Sequence, residues 1–157
     1  MRQFGCGEFQ RREGVDAAEK VRIALGVRQD GGTASMTVEG AVNAEVFRSY
    51  VREILLPTLK AGDILVMDNL SAHNDREALD LLKDAGVTVR FLPAYSPDLN
   101  PIEKFFAKLK HWLRKAAKRT VDAVYGAIAD VLPLTTPTEC SNYFAQAGYS
   151  QAKPITL

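Results

Sequence analysis

Ile64-Leu65-Val66-Met67 is an unbroken apolar run that stops at an acid, Asp68. A strand with no polar position has to be covered on both faces, which is the situation inside an α/β sheet. The flanking residues support that placement. Gly62-Asp63 turns the chain into the run. After it, Asn74 reads as a helix cap with Glu77 at the third helical position, and Gly86 reads as the helix stop. Val87 to Leu92 is the next strand, so the order strand, helix, strand predicts a right-handed crossover and parallel pairing. At 157 residues and 46% apolar content, the chain has enough material for one buried core of this type.

The remaining segments are read outward from that unit. Residues 1–20 hold Gly5, Gly7 and Gly14 among charges with no sustained period, and are expected to be irregular. Val21 to Arg28 is rich in branched residues and reads as a strand. Asp30-Gly31 supplies a hairpin turn, and a strand from Ala34 to Val42 returns antiparallel. Asn43 caps a helix whose stripe is Phe47, Tyr50, Val51, Ile54 and Leu55, ending near Pro57. From Ile102, apolar residues at 102, 105, 106, 109, 112, 113 and 116 form one helical stripe. Thr120 is expected to cap a further helix with Val121, Val124, Ile128 and Leu132 inward, stopped by Pro133. Thr136-Pro137-Thr138-Glu139 is a capping box that opens a last helix ended by Gly148.

Ligands in parallel α/β sheets sit beyond the carboxyl ends of strands. Asp68 is at such an end, as a candidate metal ligand or as the ordinary Asp-Asn turn that breaks a strand. A loop punctuated by Pro93, Pro97 and Pro101 delivers Glu103 to the first turn of the long helix. With Asn100 at the cap and Pro101 at the first position, Glu103 can simply reach back to the cap amide. It also shares a helix side with Ala107, Lys110 and Arg114, away from the apolar stripe, which suits a metal-bound phosphate. Lys104, Lys108, Lys110, Arg114, Lys115, Lys118 and Arg119 follow with no acid between Lys104 and Arg119. Such a run is a solvated face or a set of phosphate contacts. Asn69 and His73 fall close to Asp68 in sequence, and a lone histidine without a second ligand is more often structural.

Charge is balanced, 20 Lys+Arg against 19 Asp+Glu, so only its distribution points to a polyanion. Cys6 and Cys140 have no metal-ligand or pairing spacing, which fits a reducing cytoplasm. No apolar run reaches the length of a membrane span, and the start has no signal core, so a soluble protein with no membrane partner is expected.

Several of these residues carry a resemblance. M-D-N-L-S-A-H, then Y-S-P-D-L-N-P-I-E and F-A-K-L-K, resemble the catalytic core of bacterial insertion-sequence transposases of the mariner-like DDE superfamily. E-G-A-V-N-A-E-V-F-R-S-Y-V and C-S-N-Y-F-A-Q-A-G-Y are similar to it as well, so the resemblance runs from about Val21 to Tyr149. The 34 residues that separate Asp68 from Glu103 (residues 69–102) match the spacing of that group. The resemblance implies an α/β, ribonuclease-H-like mixed sheet flanked by helices. It implies Asp68 and Glu103 as the second and third metal-binding, catalytic acids, with Mg²⁺ or Mn²⁺ as cofactor and DNA (transposon ends and target) as partner. In two-metal phosphoryl transfer, hard ions need carboxylate oxygens; Asp68 would lie between both ions and Glu103 would hold one.

The sequence departs from that family at its start. The family's first acid ends an apolar strand just before the hairpin at Val21. Glu8, Glu13, Asp16 and Glu19 lie in the right region, and none ends such a strand. The sheet is therefore expected to lack its first, central strand. Residues 1–20 are an irregular segment, 21–149 a partial catalytic domain and 150–157 a tail. The missing strand would leave inner edges unpaired and open to another chain. The expectation is a truncated transposase for metal-dependent DNA cleavage and transfer, without the family's N-terminal helix-turn-helix region. It would be inactive alone, cytoplasmic and at the bacterial nucleoid when on DNA, and a candidate for completion by an upstream-encoded half or a homodimer. The alternative is a non-catalytic DNA-binding or assembly protein descended from a transposase.

Overall fold

The computed structural model describes residues 3–10, 21–116 and 120–149. Its centre is a five-stranded sheet. β1 (Gln3–Gln10), β2 (Val21–Arg28), β3 (Thr33–Glu39), β4 (Ile64–Met67) and β5 (Thr88–Phe91) lie in the order β3-β2-β1-β4-β5. β1–β2 and β2–β3 pair antiparallel; β1–β4 and β4–β5 pair parallel. No helix among the described residues is long and apolar enough to cross a membrane.

The expectation of an absent central strand is overturned. Residues 3–10, read from sequence as irregular, form the middle strand, paired on both sides. Gly5 and Gly7 weaken its intrinsic preference. Tertiary context supplies what propensity lacks, because the hairpin edge and the β4 edge would each otherwise carry unpaired backbone groups. The expectations for residues 11–20 and 150–157 fall outside the described residues.

Each face of the sheet has its own core, as alternation along β2 makes plain. Ile23, Leu25 and Val27 face α3 (Ile102–Ala116), α4 (Val121–Val131) and α5 (Pro137–Gln146), packing on Phe105, Leu109, Ile128 and Phe144. Ala24 faces the other way with Ala34, Leu65 and Met67, under α1 (Ala44–Tyr50) and α2 (Arg76–Asp84), where Phe47, Val51, Leu55 and Leu82 close the layer. Fully burying side chains of this size stabilises the fold by about 1.5–3 kcal/mol each. Tyr50 is completely buried, and its hydroxyl donates to the Ala34 carbonyl at 2.8 Å, so no polar atom is stranded there.

Several boundaries move from their sequence-based positions. β3 ends at Glu39, before Gly40, whose φ of 95° breaks the strand. α1 is capped by Asn43 as expected, but it runs on through a π-helical turn (Val51–Leu55) and a 3₁₀ turn (Leu56–Thr58) around Pro57. α2 is capped by Asp75, not Asn74. The Asp75 carboxylate accepts from the Ala78 amide and is held by Arg48 through two bonds of 2.9 and 2.8 Å. On α3, Ile102, Phe105, Phe106, Leu109 and Leu113 are buried, whereas Trp112 is 38% exposed and Ala116 is exposed, so the stripe is narrower than its apolar residues suggest. The caps at Thr120 and Thr136 form as expected, the latter a full capping box with Glu139.

Candidate active site

β4 ends at Met67, and Asp68 leaves the sheet at its carboxyl end beside a cleft of about 460 Å³. The cleft is walled by Asp68, Asn69 and Leu70 on one side, by the loop from Leu92 to Pro97 on another, and by Asn100 and Glu103 beneath. The two acids separated by 34 residues of sequence (69–102) therefore face one space.

Asp68 is held by the segment that follows it. A 3₁₀ turn (Ser71–Asn74) brings His73 back under the strand end, where it is 1% exposed and its ring lies 4.7 Å from that of Phe47. His73 Nδ1 is 3.1 Å from the Asp68 backbone oxygen and 2.7 Å from Asp68 Oδ1. A carbonyl oxygen only accepts, so Nδ1 carries the proton and directs it to the backbone. Oδ1 is buried without an in-line donor despite the short approach. Asn74 donates to Asn69 Oδ1 at 2.8 Å and to the Leu70 carbonyl at 3.0 Å, which closes the loop on itself. His73, read from sequence as a structural residue close to the site, is thus in contact with Asp68.

Glu103 does not act as a cap. The Asn100 amide donates instead to the Pro97 carbonyl at 3.0 Å, and the Asn100 side chain accepts from Ile102 N at 3.3 Å. Glu103 keeps an exposed edge, yet its carboxyl is raised above the ordinary carboxylate range. Desolvation is the larger cause and the negative charge of Asp68 the second, with Lys110 partly opposing them. Two carboxylates lining one cleft, with the charge of Asp68 raising the cost of ionising Glu103, form a donor set suited to a hard divalent cation. They suffice for one ion completed by water or phosphate oxygens. Among the described residues no group of three His, Cys, Asp or Glu gathers around such a point.

The register of β1 sets what lies beside Asp68. Cys6 pairs with Met67, so Gly7 comes abreast of Asp68. Gly7 also pairs with Leu25, whose side chain faces α3. Position 7 is therefore next to Asp68 on the α3 side of the sheet, the side on which Glu103 opens its helix, and it has no side chain. An acid at the end of an apolar strand is the wrong signal for this position. The usable signal was the pair of strand edges that needed a partner.

On α3, Lys104, Lys110, Arg114 and Lys115 are exposed, with Lys115 Nζ 5.7 Å from the Trp112 ring centroid. Lys108 is different. Its ammonium is bound by both oxygens of Glu139, at 2.8 and 3.0 Å, an acid from α5 that no inspection of the helix alone would pair with it. Lys118 and Arg119 lie outside the described residues.

The profile of the family described as DDE superfamily endonuclease matches residues 7–124, well over half of the chain. The chain belongs to that family. The match begins at Gly7, the position that the sheet register sets beside Asp68. No curated protein sequence matches. Among solved structures, the chain is similar to the catalytic domain of Mos1 mariner transposase, with TM-score 0.68, 18% identity, and coverage of 93% of this chain and 76% of that one. The Mos1 strand transfer complex gives TM-score 0.69 at 17% identity and 93% coverage, but this chain spans only 50% of the chain in that complex. The catalytic core domain of BIV integrase gives 0.57 at 14% identity, covering 94% and 98%. This DDE endonuclease domain thus has the ribonuclease-H-like fold, with its central strand in place.

Proposed function

We propose that the chain is the catalytic domain of a DNA transposase whose own acid set is one carboxylate short. What carries this reading is the convergence of Asp68 and Glu103 on one cleft at the carboxyl end of β4, with Gly7 of β1 alongside Asp68. Family membership supports it, as do the related folds solved as Mos1 transposase domains with Mg and with Mn. In this reading Asp68 and Glu103 hold a divalent cation, which when bound supplies Lewis-acid stabilisation of charge on a phosphate oxygen. Asp68 lines the cleft while His73 holds it from behind, through its backbone oxygen and Oδ1. Glu103, raised in its carboxyl pKa, presents a group that gains from a cation's charge. Lys104, Lys110, Arg114 and Lys115 run away from the cleft along α3, and contact successive phosphates of bound DNA. Lys108 serves the α3–α5 packing instead.

With Gly7 in place of an acid, the domain binds metal weakly and cleaves slowly. That observation also favours a second reading, a non-catalytic DNA-binding protein that retains the fold. Plasmid nicking in Mg²⁺ or Mn²⁺ separates them. Nicking that disappears in Asp68→Asn and Glu103→Gln supports the transposase reading. Salt-sensitive DNA binding indifferent to both substitutions, with no nicking, supports the second.

A further inference from the structure

Tyr95 is the most exposed large hydrophobic side chain of the described residues, at 102% of its reference area, and the one non-glycine residue among them with positive φ, 57°. Both features are costly. The left-handed conformation disfavours a residue with a Cβ by about 1–2 kcal/mol, and an aromatic ring gains nothing from standing in water. Such a combination persists only where the surrounding structure imposes it.

The surroundings do impose it. Pro93 and Pro97 bracket the turn, and Ser96 Oγ donates to the Ala94 carbonyl at 3.3 Å. Leu99 N and Asn100 N donate to Ser96 O and Pro97 O, and the Tyr149 hydroxyl donates to the Leu99 carbonyl at 2.8 Å. The loop is thus pinned from the far end of the chain, and Tyr95 projects from the wall of the cleft that holds Asp68 and Glu103. Leu70, 43% exposed, stands on the facing wall.

We propose that Tyr95 is a stacking platform for one unpaired nucleobase of the DNA strand whose phosphate lies between Asp68 and Glu103. This rests on the DNA reading above and goes beyond it by naming the part of the strand that this loop takes. A flat aromatic face with no protein neighbour recognises another flat π-face, and a base–aromatic stack is tolerant of sequence. Taking the base out of its duplex stack lets the strand bend its phosphate into a cleft that a regular helix could not enter.

The test uses the full chain and a duplex with a single-stranded overhang carrying 2-aminopurine at successive positions. In the native protein, and in Tyr95→Phe, binding quenches or shifts the fluorophore at one or two adjacent positions. In Tyr95→Gly and Tyr95→Asn, both at ease with positive φ, that signal disappears and overhang DNA binds about tenfold more weakly. Blunt duplex is held as before, and the melting temperature does not fall. Three results overturn the proposal: unchanged 2-aminopurine signals in both variants, an equal loss on blunt duplex, or a lower melting temperature that makes the ring a packing residue. DNA binding that persists in any of these leaves the proposed function standing. A native protein that binds neither DNA removes that function and this inference together.

Discussion

A divalent cation should stabilise this domain, and by an amount that only the two acids control. Asp68 and Glu103 share a cleft, and the negative charge of one raises the carboxyl pKa of the other. Folding without metal therefore brings together charges that the unfolded chain keeps apart. A raised carboxyl pKa in the folded state costs stability at pH values above it, and the cost vanishes as pH falls through that pKa and Glu103 takes up a proton. In EDTA at neutral pH, Glu103→Gln should accordingly melt no lower than the native protein, with any advantage lost in acid. Metal reverses the order. At a concentration ten times the dissociation constant, a ligand bound only by the folded state adds about 1.4 kcal/mol. For a chain of this size that corresponds to roughly 3–6 °C in Tm. Differential scanning fluorimetry across a Mg²⁺ and Mn²⁺ series, against a Ca²⁺-free EDTA baseline, reads both effects. Native protein should rise and saturate; Asp68→Asn and Glu103→Gln should stay flat. Equal rises in all three proteins would place the cation elsewhere and refute the two-carboxylate site. A clear loss of stability in metal-free Glu103→Gln would refute the repulsion argument on its own.

Gly7→Asp puts a third carboxylate beside Asp68 on the α3 side, so half-saturation with Mn²⁺ should fall at least tenfold and nicking should increase; Glu103→Gln in the same background should abolish both. Gly31→Ala should unfold several degrees lower, because φ is 100° there and a new Cβ would come within 2.9 Å of Pro137 at the start of α5. The Asp75 carboxyl is held down at about 2, chiefly by the Arg48 side chain and then by the Ala78 amide. Its contribution is present above the ordinary carboxylate pKa and is lost as pH falls from about 4 toward 2, so Asp75→Asn should flatten acid unfolding in that window. Arg114→Ala should lower the slope of log K against log salt for DNA binding by about 1, whereas Lys108→Ala should leave the slope alone and lower Tm, its ammonium being bound to Glu139.

What was legible in the sequence was whatever is decided locally. The apolar run of β4, the Asn43, Thr120 and Thr136 caps and the α3 stripe each follow from a few neighbouring side chains, and they form where expected. The positions of Asp68 and Glu103 were legible too, since the strand end and the proline loop bring both to one cleft. What was not legible is decided at long range. Asp75 displaces Asn74 as the α2 cap because Arg48, 27 residues earlier, fixes its carboxylate. Lys108 leaves the basic face because of an acid 31 residues away. The central strand was missed for the same reason: Gln3 to Gln10 has little strand signal of its own and draws its order from β2 and β4.

That strand carries two separable requirements. Sheet order asks only that residues 3–10 offer backbone donors and acceptors to two neighbours, and glycine can do so. The metal chemistry proposed above asks that one of those residues also offer a carboxylate beside Asp68. Gly7 meets the first requirement and has no side chain for the second, so in the reading proposed above the domain is complete as a fold and one carboxylate short as a catalyst. A missing strand would leave open edges, and a second chain would be needed for the sheet to exist at all. In the proposed reading, a missing carboxylate needs only one oxygen-donating side chain beside Asp68, and the strand that would position it is in place.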